Sequence, residues 1–467
     1  MQQNILKSEE NVRTSSVTFS EIYKDKLLGI EFDRLENLYD VIDKVSTFSS
    51  LVNPSISKNQ PYHRWARYRE AYAGDIVKEI IKSIDINPEK DFILDPMCGS
   101  GSTNVACKEL GIDSLGLDVN GYSVLLSSAK LANYTRNDIR LIEKQLHSYK
   151  PLNSTRKNKS NLTSVSSSKF SEVEKYFETA NLRSLEEIND WIVAIDKKKI
   201  REFFKVAWIA ILEDCSERKK DGNGLATRSS NISNVLEHFN KQVLCMIEDI
   251  KENPLPNKVN AKAYAKSALD LRKASQPFLK KKDMGAIIYS PPYANSFDYF
   301  ESYKIELIMG GFFKFSELKG ARKCLIRNYR LNKGETVSNE FDLVDGLCKE
   351  IWESIPEKES DTGVRDGRTR LVPNMLKCYF DDMWKVLYEG FYALRNKGTM
   401  NIVVDQSSYL GVPIPTDLIL AKIGEDIGYK VKTIIKCRRA GTSGQQLKKF
   451  PYLKEMLRES IVVLEKT

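Results

Sequence analysis

Histidine is scarce: His63, His147 and His238 are the only three in 467 residues, and the eight cysteines form no CxxC pair. That excludes a zinc site of ordinary ligand spacing and a disulfide framework, leaving reduced thiols as the expectation. No apolar run approaches the roughly 18 residues of a membrane span. The opening Met-Gln-Gln-Asn-Ile-Leu-Lys-Ser-Glu-Glu lacks the basic and apolar regions of a signal peptide. A soluble, cytoplasmic protein with no membrane partner is expected. No Pro-Cys dipeptide occurs, and no internal repeat is visible.

Positive charge is in modest excess, with 72 Lys and Arg against 63 Asp and Glu. The excess suits a polyanionic partner without requiring one. Basic residues cluster at 150–169, 280–282, 319–333 and 436–449. Any one cluster is equally well read as a solvated face.

Residues 1–60 are polar, with helix-like patches such as 32–45, and read as an N-terminal arm or helical preface. A basic aromatic segment from Tyr62 leads into an amphipathic helix ending near Ile84. Phe92 to Asp95 reads as a short buried strand, Gly99 to Ser102 as a turn, Thr103 to Leu110 as a helix closed by Gly111, and Ser114 to Asp118 as the next strand. Strand, glycine turn, helix and strand open a doubly wound α/β sheet. Residues 61–120 are therefore read as the first part of an α/β domain.

That rhythm lapses over 121–262, where helical patterns at 182–194, 200–215 and 235–252 follow a Ser/Lys/Asn-rich stretch. This is expected to be a large helical insertion and a candidate for target recognition. The sheet resumes over 263–467, in strands near 261–268, 286–289 and 399–404, a helix over 416–427, and a late antiparallel pair at 430–437 and 459–464.

Two motifs carry the chemistry. The first is Asp95-Pro-Met-Cys-Gly-Ser-Gly-Ser-Thr103. Glycines at 99 and 101 let the backbone pass close to a ligand, and the helix beginning near Ser102 points free N–H groups at a bound carboxylate. Asp118, ending the following strand, is placed to accept two ribose hydroxyls. A nicotinamide site is the competing reading, but it usually asks for GxGxxG, and Asn104 stands at the third glycine's position. A strand-to-helix turn without a ligand is the bland alternative.

The second motif, Ser290-Pro-Pro-Tyr293, follows an apolar strand. Pro291 and Pro292 fix two φ angles and remove two donors, so the Ser290 hydroxyl and the Pro291 carbonyl can face a site as acceptors. Those are what an exocyclic NH₂ requires.

Together the motifs resemble those of the exocyclic-amino DNA methyltransferases, over 62–120, 263–311 and 371–464. The resemblance implies a Rossmann-like methyltransferase sheet with S-adenosyl-L-methionine (SAM) as cofactor. It places Asp95, Pro96, Met97, Cys98, Gly99, Ser100, Gly101, Ser102 and Asp118 on SAM, and Tyr72, in the element His63 to Tyr72, over its methionine end. It makes Ser290, Pro291, Pro292 and Tyr293 the catalytic loop, with Tyr293 stacking on a flipped base rather than moving a proton. Asn295, Asp298 and Tyr299 would shape the substrate pocket. DNA is the implied partner, with a restriction or defence protein as a further one. The segment 312–375, with Arg322, Arg327 and Arg330, is expected to contact DNA.

Three departures stand out. Met97 replaces a common aromatic residue; Ser267 stands where the family usually offers an acid to adenine, with Asp270 a poor substitute; and the gap between the motifs is long. Cytosine-C5 methylation would need a nucleophilic cysteine, typically after proline, and is disfavoured. Serine at the first position of Ser290-Pro-Pro-Tyr293 favours cytosine N4 over adenine N6. RNA or protein-glutamine methylation, or a non-catalytic DNA-binding relative, are the remaining readings.

Overall fold

In the computed structural model, residues 17–52, 59–68, 72–149, 170–221, 224–295, 297–314, 316–328 and 335–467 are described. Eight strands form one sheet: β1 (Val41–Asp43), β2 (Asp91–Asp95), β3 (Asp113–Asp118), β6 (Ala261–Ala265), β7 (Asp283–Tyr289), β8 (Leu394–Asp405), β11 (Tyr429–Arg439) and β12 (Arg458–Lys466). Two small hairpins lie outside it, β4 (Arg218–Asp221) with β5 (Gly224–Thr227), and β9 (Ser407–Tyr409) with β10 (Val412–Ile414).

The sheet order is β1-β11-β12-β8-β7-β2-β3-β6. Every neighbour pair is parallel except the two made by β12, which runs antiparallel to both β11 and β8. The central strands are sandwiched, as their unbroken apolar runs require. On β7, Ile287 and Tyr289 enter the core beneath the helices Lys26–Leu38, Val372–Ala393 and Thr416–Ile427. Ala286 and Ile288 enter the opposite core under Gly74–Ser83 and Ser102–Glu109. This is the expected mixed α/β, Rossmann-like sheet with its late antiparallel strand.

The helices Thr179–Val193, Lys198–Ala210 and Val235–Glu252 share a third core with Trp65 and with Lys304–Met309. Within 121–262 the structure adds the hairpin β4–β5, which no apolar alternation announces. The segment read as an arm is part of the fold, since Val41 to Asp43 pair with Ile434 to Lys436 as an edge strand. The long helix Asp342–Thr362 occupies ground read only as a DNA-contacting segment, and a second, Val372–Ala393, begins at the end of that segment. No helix among the described residues is long and apolar enough to cross a membrane.

Candidate active site

Strands β2 and β3 end side by side and bring Asp95 and Asp118 to one sheet edge. Between them the chain turns through Gly99 at φ 48° and Gly101 at φ 81°, left-handed conformations that side chains resist. A Cβ on Gly101 would lie 2.7 Å from Ser127 Oγ, so the turn is closed from below. Buried Lys130 donates from Nζ to the Ser100 carbonyl at 2.8 Å, and burial draws its ammonium down to about 7.

The two acids are held by short-range bonds. Asp118 accepts from the Gly99 N–H at 2.9 Å and the Asn120 N–H at 2.8 Å, yet burial pushes its carboxyl up to about 6. Asp95 accepts from the Met97 N–H at 3.0 Å and from the Tyr72 hydroxyl at 3.4 Å, and burial pushes it up to about 7. Paired acids displaced by burial in one cleft are a mark of a working site.

Over this loop lies the basic aromatic segment. Asp249, on the helix Val235–Glu252, fixes its start by accepting from the Tyr62 N–H at 2.8 Å and the Trp65 indole at 2.9 Å, and pairs with Arg64. Tyr68 then stacks on Tyr303 with centroids 4.9 Å apart and hydrogen-bonds Ser123 at 2.8 Å. Burial drives His63 down to about 3, so it stays neutral beside Gly74.

A cleft of about 840 Å³, open solvent included, lies here. Residues 95–100, Ser102, Asp118 and Tyr72 line it together with Ser290, Pro292 and Tyr299. Both sequence motifs therefore meet at one cavity. Ser102 Oγ and Asn120 Nδ2 are buried without a hydrogen-bond partner among the described residues, and both residues line the cleft. Unpaired polar atoms, an acid that backbone N–H groups orient, and a helix N-terminus suit the carboxylate and ribose of SAM.

Gly101, Pro291 and Tyr293 are not on the wall. Tyr293 turns away, donating its hydroxyl to Glu459 Oε1 at 3.0 Å and accepting from Ser290 Oγ at 3.4 Å. Asn295 is exposed off the cleft. Asp298 is buried at the N-cap of Tyr299–Ser302, accepting from the Glu301 N–H at 3.1 Å and from Arg322 Nε at 3.0 Å.

The two described arginines expected on DNA are spent inside the protein. Arg322 pairs with Asp298 and Glu301. Arg327 donates to Asp382, Asp381 and the Thr336 carbonyl, so all three of its guanidinium nitrogens are engaged. Their partners lie on other elements, which a run of basic residues does not disclose. Arg330 and the basic stretch 150–169 fall outside the described residues.

Further wall residues are Tyr68, Asn120, Ser267, Phe300, Leu325 and Ile326. Ser267 occupies the acid's expected position, and Asp270 is not on the wall. The aromatic segment signalled Tyr68. Leu325 and Ile326 come from the basic stretch 319–333, which reads in the sequence as a DNA contact rather than as part of this wall.

Residues 8–130 match the family described as DNA methylase, of the N6/N4 group. The chain is 27% identical to the Type II methyltransferase M.BsoBI of Geobacillus stearothermophilus over 94% of its own length and 92% of that protein. It is 27% identical to the Type II methyltransferase M.AvaI of Anabaena variabilis, over 87% and 88% of the two chains. A 56-residue stretch, 12% of the chain, is 43% identical to part of the Type II methyltransferase M.MjaII of Methanocaldococcus jannaschii.

Proposed function

We propose, from the premise that residues 8–130 are a DNA methylase segment of the exocyclic-amino class, that the chain is a site-specific DNA methyltransferase. It would move a methyl group from SAM to the N4 amine of a flipped cytosine, within a restriction-modification or defence context. The observation that carries this is the meeting of the 95–102 loop and Ser290 in one cleft.

In this reading SAM supplies an electrophilic methyl on a sulfonium sulfur. Asp118 accepts the ribose hydroxyls, the Ser102 helix start receives the carboxylate, and Tyr68 and Tyr72 exclude water above the loop. Ser290 Oγ, on the cleft wall, accepts an amine hydrogen and turns the nitrogen lone pair toward the donor. That orientation works in the transition state, where binding energy accelerates the step. Serine at position 290 and Ser267 in place of an acid support cytosine N4.

The test is single-turnover transfer of labelled methyl to duplex DNA, followed by nucleoside analysis. Label on cytosine N4 is expected. Label on adenine N6 moves the substrate to the second base. Label at cytosine C5, or none on DNA, overturns the proposal.

A further inference from the structure

The Ser290-Pro-Pro-Tyr293 loop ends in a hydrogen-bonded line that leaves the cleft. Ser290 Oγ, on the wall, donates to Tyr293 Oη at 3.4 Å, and Tyr293 Oη donates to Glu459 Oε1 at 3.0 Å. Both hydroxyl protons thus point the same way, and the Ser290 lone pairs are left for a group in the cleft. Glu459 sits on β12, 2% exposed, and its second oxygen takes the Arg438 guanidinium. Its partner across the strands is Asp405, at the end of β8. Asp405 is half-buried, has a buried oxygen without a partner among the described residues, and is held well above the usual carboxylate range by desolvation and the Glu459 charge. Of the two carboxylates, the one paired with arginine is the one joined to the loop. Asp417, which adds to the acidity around Asp405, is taken by Arg458 and Ser460.

Resting on the reading above, we infer that Glu459 is the terminal proton acceptor of the reaction, reached from the target amine through the Ser290 and Tyr293 hydroxyls. Transfer forms the N–CH₃ bond and breaks the S–CH₃ bond, the sulfur keeping the bonding pair, so one N–H proton must leave. That proton passes to Ser290 Oγ as the serine's own proton passes to Tyr293 Oη and the tyrosine's to Glu459. The sulfonium and the Glu459 carboxylate both lose their charge, and the Arg438 cation, whose side chain is 36% exposed, is left to solvent. Burial keeps the Tyr293 hydroxyl well above its ordinary range, so it conducts a proton without ionising. Tyr293 and Glu459 act through Ser290 and are positioning residues. Tyr293 is thereby given a proton role where the resemblance gave it only a stack.

The experiment compares wild type, Tyr293→Phe, Glu459→Gln and the double variant in single turnover, with SAM affinity by calorimetry and thermal midpoints on the free proteins. Each single variant should lose at least tenfold in transfer rate with SAM and DNA affinities within twofold. The double variant should be no slower than the worse single, because both cut one line. In weakly buffered solution with an indicator dye, wild type should release its proton after methyl transfer, and Tyr293→Phe together with it. The infrared difference spectrum of the wild-type product complex should carry a protonated-carboxyl band that Glu459→Gln lacks. If Glu459→Gln fails to fold, Tyr293→Phe decides. Full rate and delayed proton release in Tyr293→Phe would overturn the inference, as would a matching loss of SAM affinity. Wild type inactive on DNA would instead sink the functional reading.

Discussion

The two walls of the cleft are built on different principles. On the cofactor wall, Asp118 is oriented by the Gly99 and Asn120 N–H groups, and Asp95 by Met97, so each bond closes within 19 residues of chain. On the catalytic wall, Tyr293 leans on Glu459, 166 residues onward, and the Ala294 carbonyl accepts from Ser407 at 2.9 Å and Tyr409 at 2.8 Å, more than 110 residues away. The first wall is assembled by one strand-turn-helix-strand unit. The second exists only once the C-terminal strands and the helix Val372–Ala393 have docked.

The largest expected effect is on the strap beneath the catalytic wall. Arg327 neutralises Asp381 and Asp382, both under 10% exposed, and Asn328 beside it donates to the Phe297 carbonyl at 3.1 Å. Arg327→Ala leaves two buried carboxylates without their cation and should cost about 3 kcal/mol of stability. The salt slope of DNA binding should stay where it was. Denaturant unfolding beside DNA titrations at several salt concentrations measures both. An unchanged midpoint with a shallower slope would return Arg327 to the phosphate backbone.

This contrast explains what the sequence discloses. Asp95, Gly99, Gly101 and Asp118 are legible because the turn that needs them is local. The helix over 416–427 and the reversed final strand are legible from apolar periodicity. Arg327 is not, because its acids stand 54 and 55 positions away and nothing local links them. The edge strand β1 has three residues, too few for alternation to appear. In the helix Asp342–Thr362, the internal Pro356 reads as a breaker that tertiary packing overrides. Glu459 belongs to the site only through Tyr293, which no spacing in the chain reveals.

Next in size are the cofactor-wall substitutions. Gly101→Val puts a branched side chain at φ 81° against Ser127, and Asp118→Ala removes a charged acceptor. Each should weaken SAM binding by about 2 kcal/mol, the scale of a hydrogen bond to a charged group. Calorimetry should find the catalytic-wall variant Ser290→Ala nearly unaffected in SAM affinity but slower in transfer by about 1 to 2 kcal/mol of barrier. Equal losses of SAM affinity in all three would erase the distinction between the walls.

The smallest effect is the pH dependence of SAM binding set by the cofactor wall. Burial raises Asp118 to about 6 and Asp95 to about 7, above the ordinary range for aspartate. In the free protein such groups bind protons that the unfolded chain has already released. Their contribution to stability is therefore complete below about pH 4 and is lost as pH rises through 6 to 7. Ribose hydroxyls favour the ionised carboxylate, so the dependence of SAM binding has the opposite sign. Affinity should climb from pH 5 and level off above about pH 7. Below the Asp118 midpoint the slope can reach tenfold per unit, about 1.4 kcal/mol. Asp118→Asn keeps the shape and cannot titrate, so it should bind more weakly and flatten that part of the climb, leaving any residue to Asp95. Calorimetric titrations of both proteins at pH 5, 6, 7 and 8 measure this, and a flat wild-type profile would mean that neither acid meets the cofactor as a titrating group.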